Sequence, residues 1–300
     1  MTENPNRREF LAQSTAALGG AFLASRFAAD SLAAATWKKG ACIGVLPSGL
    51  SVLQKFELAK AAGFEGIEPN TLNTPQEVEE YKAASAATGL KIHSIMNSDH
   101  WKYPLTDNDL EVVNKSVEGL KRSMHNAHDL GADAVLLVPG IVTAEVRYID
   151  VYRRSQARIR ELLPLAKELK VIIAVENVGN KFLLSPLEFA RYVDEFKSPY
   201  VRAYFDIGNV VSSGYPPDWI RTLGKKLVKI HIKRFEPGTE QPKFDPKDRR
   251  NQGIDWPDVR RALVEVGYGG WVTAEVRSGD ETYVRGVSQR LDKIFAGEPF

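Results

Sequence analysis

From residue 41 onward, short apolar runs alternate with longer amphipathic ones, eight times over. The apolar runs at 41–45, 66–69, 91–97, 132–139, 171–178, 201–209, 228–233 and 270–276 read as strands. Helical patterns at 50–62, 75–88, 109–130, 146–169, 186–196, 217–223, 256–266 and 280–295 follow them in turn. Strand–helix alternation of this kind demands a parallel sheet, because each helix returns the chain to the end where the last strand began. Several runs are apolar on both faces, as in strands covered by helices outside and packed against a filled interior. Gly63, Gly89, Gly131 and Gly267 each separate a helical pattern from the next strand, where a left-handed cap suits glycine. Eight such units in about 260 residues predict one closed (β/α)8 TIM barrel, an α/β fold. The rival is a doubly wound open sheet. A dinucleotide-binding sheet of that kind carries a glycine fingerprint after its first strand, and VLPSGLS at 45–51 lacks one. With no linker or longer repeat in view, 36–300 reads as a single domain.

A chain of 300 residues, 43% hydrophobic and 26% charged, can bury a large core without disulfide or metal staples. Its one cysteine, Cys42, excludes an intramolecular disulfide and reads as a small apolar residue of the first strand. The formal net charge of +2 argues against a dedicated nucleic-acid surface. The most basic stretch, 243–261, is interrupted by Asp245, Asp248, Asp255 and Asp258 and reads as a solvated face. The first 35 residues differ from the rest. Asn6-Arg7-Arg8-Glu9-Phe10-Leu11 resembles the twin-arginine export signal of bacteria, followed by a weakly apolar Ala/Gly stretch at 11–25. Ala33-Ala34-Ala35 then offers a small-residue cleavage site before Thr36. Residues 1–35 are therefore expected to be a removed signal peptide, and the protein to reach the periplasm or be secreted. No later segment approaches the roughly 20 apolar residues that span a bilayer, so no stable membrane insertion is expected after removal.

Four residues at the ends of four separate strand patterns can bind a divalent metal: Glu176 in VIIAVEN, Asp206 in VRAYFDIGN, His231 in LVKIHIK and Glu275 in GWVTAEV. In a parallel barrel these strand ends converge on one face, where active sites are built. A cluster of buried carboxylates is costly unless paired or metal-bound. The mixed oxygen and nitrogen set suits Mn²⁺ or Mg²⁺, with Zn²⁺ or Co²⁺ also accommodated. Strand alternation puts Tyr204 and Gly208 on the face of Asp206, Lys233 on that of His231, and Thr273 and Arg277 on that of Glu275. Arg277 and Lys233 are thus candidates to hold a substrate oxygen, with a rim ion pair as the bland alternative. Glu68, ending strand two, and Asn97, His100 and Trp101, following strand three, are further substrate-binding candidates, Trp101 as an apolar wall, with a rim salt bridge as the alternative for Glu68 and surface packing for Trp101. His93 reads as a satisfied core histidine, and His125 and His128 as mid-helix residues without function.

The segments VENVGNKFLLSP, YFDIGNVVSSGYP, KIHIK, GIDWPDV and GYGGWVTAEV give the chain a family likeness. It resembles the sugar phosphate isomerase/epimerase family, the xylose-isomerase-like barrels, over nearly all of the chain beyond the leader. The resemblance implies that Glu176, Asp206, His231 and Glu275 hold the metal and that Glu176 and Glu275 are the proton-transfer pair. It implies a small-molecule carbohydrate substrate, no nucleic acid, and a homo-oligomer, since members are often dimers or tetramers. A metal chelated by a ketose would acidify the adjacent carbon and stabilise an enediolate, which two carboxylates reprotonate to give an epimer or isomer. The Asp206–Asn209 stretch looks more like the pentulose-phosphate 3-epimerase branch. Free-sugar epimerases tend to carry histidine where Asn209 stands, which makes Asn209 a substrate-side candidate. Arg234 replaces an acidic residue usual in the family. The leader pulls the other way, toward an unphosphorylated substrate outside the cytoplasm. The alternatives are a lyase of the same fold acting on a keto-inositol or 3-keto-glycoside, an apurinic endonuclease and an exported sugar-binding protein. The endonuclease would need further His and Asp/Glu ligands, and binding alone would need no opposed pair of carboxylates.

Overall fold

A computed structural model describes residues 37–238, 242–247 and 253–299. The expected leader lies outside the described residues, and the unit Trp37–Phe300 carries the fold. Its strands are β1 (Lys38–Cys42), β2 (Gly66–Glu68), β3 (Lys91–Ile92), β4 (Ile95–Met96), β5 (Ala134–Leu137), β6 (Ile172–Glu176), β7 (Val201–Asp206), β8 (Leu227–Ile232) and β9 (Trp271–Ala274). The helices are α1 (Val52–Ala61), α2 (Pro75–Thr88), α3 (Leu110–Asp129), α4 (Tyr148–Leu169), α5 (Pro186–Asp194), α6 (Pro216–Leu223), α7 (Trp256–Glu265) and α8 (Glu281–Ala296). All strand pairs are parallel, in the order β3-β2-β1-β9-β8-β7-β6-β5-β4. Because β3 and β4 are two stretches of one stave, the sheet comes round on itself as the expected eight-stave barrel.

Two departures from the expected strands have physical causes. The first strand begins at Lys38 rather than 41, and 43–45 forms a 3-10 turn. Lys39 is buried along its stem, its ammonium paired with Asp292 of α8, so a charged residue occupies a strand position that apolar patterning passes over. The third strand, expected at 91–97, breaks at His93 and Ser94, β3 pairing with β2 and β4 with β5. His93 is buried, stacks on Trp271 at 4.5 Å between ring centroids, and bonds Ser94 Oγ at 3.2 Å and Thr273 Oγ1 at 3.1 Å. It is the satisfied core histidine its sequence context predicts. Gly40 leaves it room, since a Cβ there would lie 2.8 Å from His93 Nε2.

Except for α4 and α6, the helices start at side-chain caps that fix where the loop turns into the helix. Ser51 with Gln54 and Thr74 with Glu77 form capping boxes, while Ser185, Asp255 and Asp280 cap α5, α7 and α8. Inside the barrel Ala134, Leu136, Ala174 and Tyr204 pack together, with Met96, Ile172 and Val228 against them. This layer forms the floor beneath the carboxylates at the strand ends. No helix among the described residues is long and apolar enough to cross a membrane.

Candidate metal centre

Strand register brings the four strand-end residues together. Asp206 ends β7 and pairs with His231 of β8, which on its other side pairs with Thr273 of β9. Glu275 follows two residues on, just past β9, and Glu176 ends β6 opposite Tyr204. One ligand atom from each of Glu176, Asp206, His231 and Glu275 lies within 4.8 Å of all the others. Asp206 and His231 are fully buried and Glu176 nearly so, whereas the Glu275 side chain is 30% exposed, so the cluster opens on the Glu275 side.

His231 stands at the middle. Its Nδ1 lies 3.0 Å from Glu176 Oε1 and 2.9 Å from Glu275 Oε2. Lys233, two residues on, sets its Nζ 2.9 Å from Asp206 Oδ2 and 3.0 Å from Glu275 Oε2. Those distances make ion pairs that tie Lys233 to both carboxylates. Three carboxylates and an imidazole offer the mixed oxygen and nitrogen donor set that suits a divalent cation. Asp206 is held for this by its neighbours. Asn177 bonds its backbone in both directions at 2.9 Å, as donor to the carbonyl and acceptor from the N–H, and Asn209 N–H donates to Oδ1 at 2.9 Å.

Burial pushes the Glu176 carboxyl up to about 7, with the Glu275 and Asp206 charges adding to it and His231 opposing. Burial also raises Asp206, helped by Glu275 and resisted by Lys233 and His231. Glu275 goes the other way: burial would raise it, but His231 and Lys233 hold it well below the usual carboxylate range. Burial opposes charge on His231 and Lys233 too, yet both are raised. The polar groups of Tyr204, Cys42, Glu68 and Glu275 surround His231, and Asp206, Glu275 and Glu176 surround Lys233. The site thus keeps carboxylates in unequal states, with cationic side chains between them.

Glu68 departs from its expected place facing substrate. It is fully buried on the far side of His231, where Oε2 lies 2.6 Å from His231 Nε2 and accepts from Tyr204 OH at 3.1 Å and Cys42 Sγ at 3.4 Å. Ser94 Oγ donates to its other oxygen. Burial alone would raise Glu68, but His231, His93 and Ser94 bring it down to about 2. Cys42 is thus more than an apolar filler. It is a buried donor in this cluster, with Sγ 3.6 Å from His231 Nε2.

The remaining candidates are spread around the centre. Asn209 uses its amide to brace the Asn177 carbonyl at 3.0 Å, and Lys233 Nζ stands 3.5 Å from its Oδ1. Asn97 is buried, its Oδ1 accepting from Ser123 Oγ of α3 at 3.3 Å while its Nδ2 has no partner. His100 is buried, accepts Val138 N–H on Nδ1 at 3.4 Å, and is brought down to about 4 by burial, partly offset by the Glu275 charge. Trp101 is 52% exposed, edge-on to His100 at 5.5 Å. Arg277 is exposed with its guanidinium 4.4 Å over the Tyr283 ring, so the alternation that would turn it into the mouth ends with β9. His125 and His128 lie exposed on α3. Sequence reasoning passed over the bracing role of Asn177 and the Ser94–Tyr204–Cys42 set around Glu68. Tyr204 alone carried a signal, two residues before Asp206 on the same strand face.

A family model described as a xylose isomerase-like TIM barrel matches residues 56–294. Among curated proteins, the L-ribulose-5-phosphate 3-epimerase UlaE of Escherichia coli O1:K1 / APEC is 26% identical over 206 residues, 64% of this chain and 72% of its own. Two solved structures share the fold at 17% identity. The apo 3-keto-D-glucoside 4-epimerase YcjR of E. coli superposes with a TM-score of 0.71 over 87% of this chain and 100% of its own. An L-ribulose 3-epimerase superposes with a TM-score of 0.71 over 87% and 95%.

Proposed function

This chain belongs to the xylose isomerase-like TIM-barrel family, and on that premise we propose that it is a divalent-metal-dependent epimerase or isomerase of a keto-sugar. The observation that carries the reading is the meeting of Glu176, Asp206, His231 and Glu275 within 4.8 Å at the strand ends. These four residues would hold the ion, with Mn²⁺ or Mg²⁺ best suited to the donors and Zn²⁺ or Co²⁺ also fitting. When bound, a divalent cation polarises the substrate carbonyl and makes the neighbouring C–H more acidic. Glu176 and Glu275 stand on staves to either side of Asp206 and His231. One carboxylate takes the proton from the carbon beside the carbonyl, and the C–H electron pair moves into an enediolate. The other carboxyl returns a proton to the opposite face of that carbon, the carbonyl re-forms, and the product is the epimer. Return to the adjacent carbon gives the isomer instead. Either way the two carboxyl groups exchange protonation states, which readies the pair for the reverse reaction. Asn177 and Asn209 keep Asp206 fixed throughout.

Incubation of the metal-loaded protein in D2O with a panel of free and phosphorylated ketoses tests this reading. Solvent deuterium should enter the carbon next to the carbonyl, and Glu275→Gln should slow that exchange by about 10²–10⁴-fold. Absence of exchange into every ketose, with each of the four metals, would sink it, and loss of a leaving group would point to the lyase chemistry of the same fold. We further propose that 1–35 is a twin-arginine signal peptide and 36–300 the exported catalytic domain. Periplasmic or secreted placement favours an unphosphorylated sugar, because phosphorylated sugars are mainly cytosolic metabolites. A reporter fused to 1–35 should leave the cytoplasm, and its retention there, or export that persists when Arg7 and Arg8 become Lys, would count against that route.

A further inference from the structure

Glu68 is a carboxylate with no access to solvent or to the opening of the site, and four side chains converge on it at once. Burying a carboxylate is expensive, and a core position of this kind is ordinarily filled by an apolar residue. Its shortest contact with a metal-centre residue is the 2.6 Å one to His231 Nε2. The opposite ring nitrogen, Nδ1, lies 2.9 Å from Glu275 Oε2 and 3.0 Å from Glu176 Oε1. An acceptor fixed against Nε2 obliges that nitrogen to carry a proton. When a cation binds, Nδ1 is then the nitrogen left to offer its lone pair toward Glu176 and Glu275. Tyr204, Cys42 and Ser94 point donors at Glu68 and so keep its oxygens from turning away. Glu68, Ser94, Tyr204 and Cys42 are all buried.

We propose that Glu68 is the positioning residue of the metal centre, holding His231 with its proton on Nε2 and its lone pair on Nδ1 facing the other three ligands. A carboxylate behind a ligating histidine orients the ring and raises its basicity, and removing such a partner lowers metal affinity by about 10–100-fold. The inference rests on the metal-binding part of the proposed function and is independent of which sugar is used.

Mn²⁺ binding to the full chain, measured by chelator competition without sugar, tests it. Glu68→Gln keeps the side chain's volume, and its Mn²⁺ affinity should fall about 10–100-fold. Affinity within about threefold of the unaltered protein would overturn the proposal. If the unaltered protein binds no Mn²⁺, the metal reading itself fails, an outcome distinct from equal binding by both proteins. Loss of one negative charge would also weaken binding, so the tautomer is read directly. In the Zn²⁺-loaded unaltered protein, ¹⁵N NMR of His231 should show a protonated, hydrogen-bonded Nε2 and a protonless Nδ1. A proton on Nδ1 overturns the proposal, and this measurement stands even if Glu68→Gln does not fold.

Discussion

Lys233 holds the position most at odds with a metal centre. Its ammonium sits within 3.0 Å of Asp206 Oδ2 and Glu275 Oε2, two of the oxygens proposed to hold the ion. Two unit charges about 4 Å apart interact by about 4 kcal/mol at an effective dielectric near 20, so a divalent ion and this ammonium repel strongly if both stay. Binding must either displace the Lys233 side chain toward the 30% exposed side marked by Glu275 or proceed against its charge. Both routes weaken metal affinity relative to a neutral side chain of similar length. Lys233→Met should therefore bind Mn²⁺ about tenfold more tightly or better, about 1.4 kcal/mol, by chelator competition without substrate. Equal or weaker binding would show that the ammonium supports the ligand geometry rather than competing with the ion.

At the scale of the strand, the barrel depends on where side chains are absent as much as on where they pack. Trp271 at the start of β9 lies over Gly66 of β2, where a Cβ would come within 2.6 Å of the indole ring and 2.8 Å of the Lys91 carbonyl. One of those obstacles is backbone, so neither rotamer change nor side-chain sliding relieves it. Gly66→Ala should cost about 1–3 kcal/mol and lower the thermal midpoint by several degrees, with the metal-site residues left chemically intact. An unchanged midpoint would mean that the β2–β3 pairing yields more readily than its register implies. The strand–helix alternation was legible because it rests on local periodicity, and the meeting of the four candidate ligands because each closes an apolar run. The burial of Glu68 was not legible: its partners Cys42, Ser94, Tyr204 and His231 come from β1, the β3–β4 break, β7 and β8. Only barrel stagger, set by pairing around the whole ring, brings those levels together. The break at His93 was hidden for the same reason, since the Trp271 ring that receives it lies on the last strand.

Taken as one molecule, the barrel interior holds titratable groups whose effects on stability run in opposite directions. Glu176, raised to about 7 from an ordinary 4.5, keeps a proton in the fold that the unfolded chain gives up. Its contribution is complete below pH 4.5 and lost as pH rises through 7. His231, also raised, contributes fully below its ordinary 6.5 and loses that contribution as pH climbs through its folded value. His93 and His100 act the other way, because burial keeps both neutral. The unfolded chain protonates His100 near pH 6.5 and the fold only near 4, so its contribution is present above 6.5 and is lost as pH falls to about 4. These contributions offset one another in a simple acid titration, and only a difference between two proteins separates them. His100→Asn removes one titrating group without adding another. In chelator, the stability of the unaltered protein minus that of His100→Asn, from urea unfolding, should be constant above about pH 7. It should then shrink by about 3 kcal/mol on the way down to about pH 4, since a tenfold difference in proton affinity between fold and unfolded chain is worth about 1.4 kcal/mol. A gap that stays flat across that range would mean that His100 takes up its proton in the fold as easily as in water. The surroundings of His100 would then be open to solvent rather than closed around it.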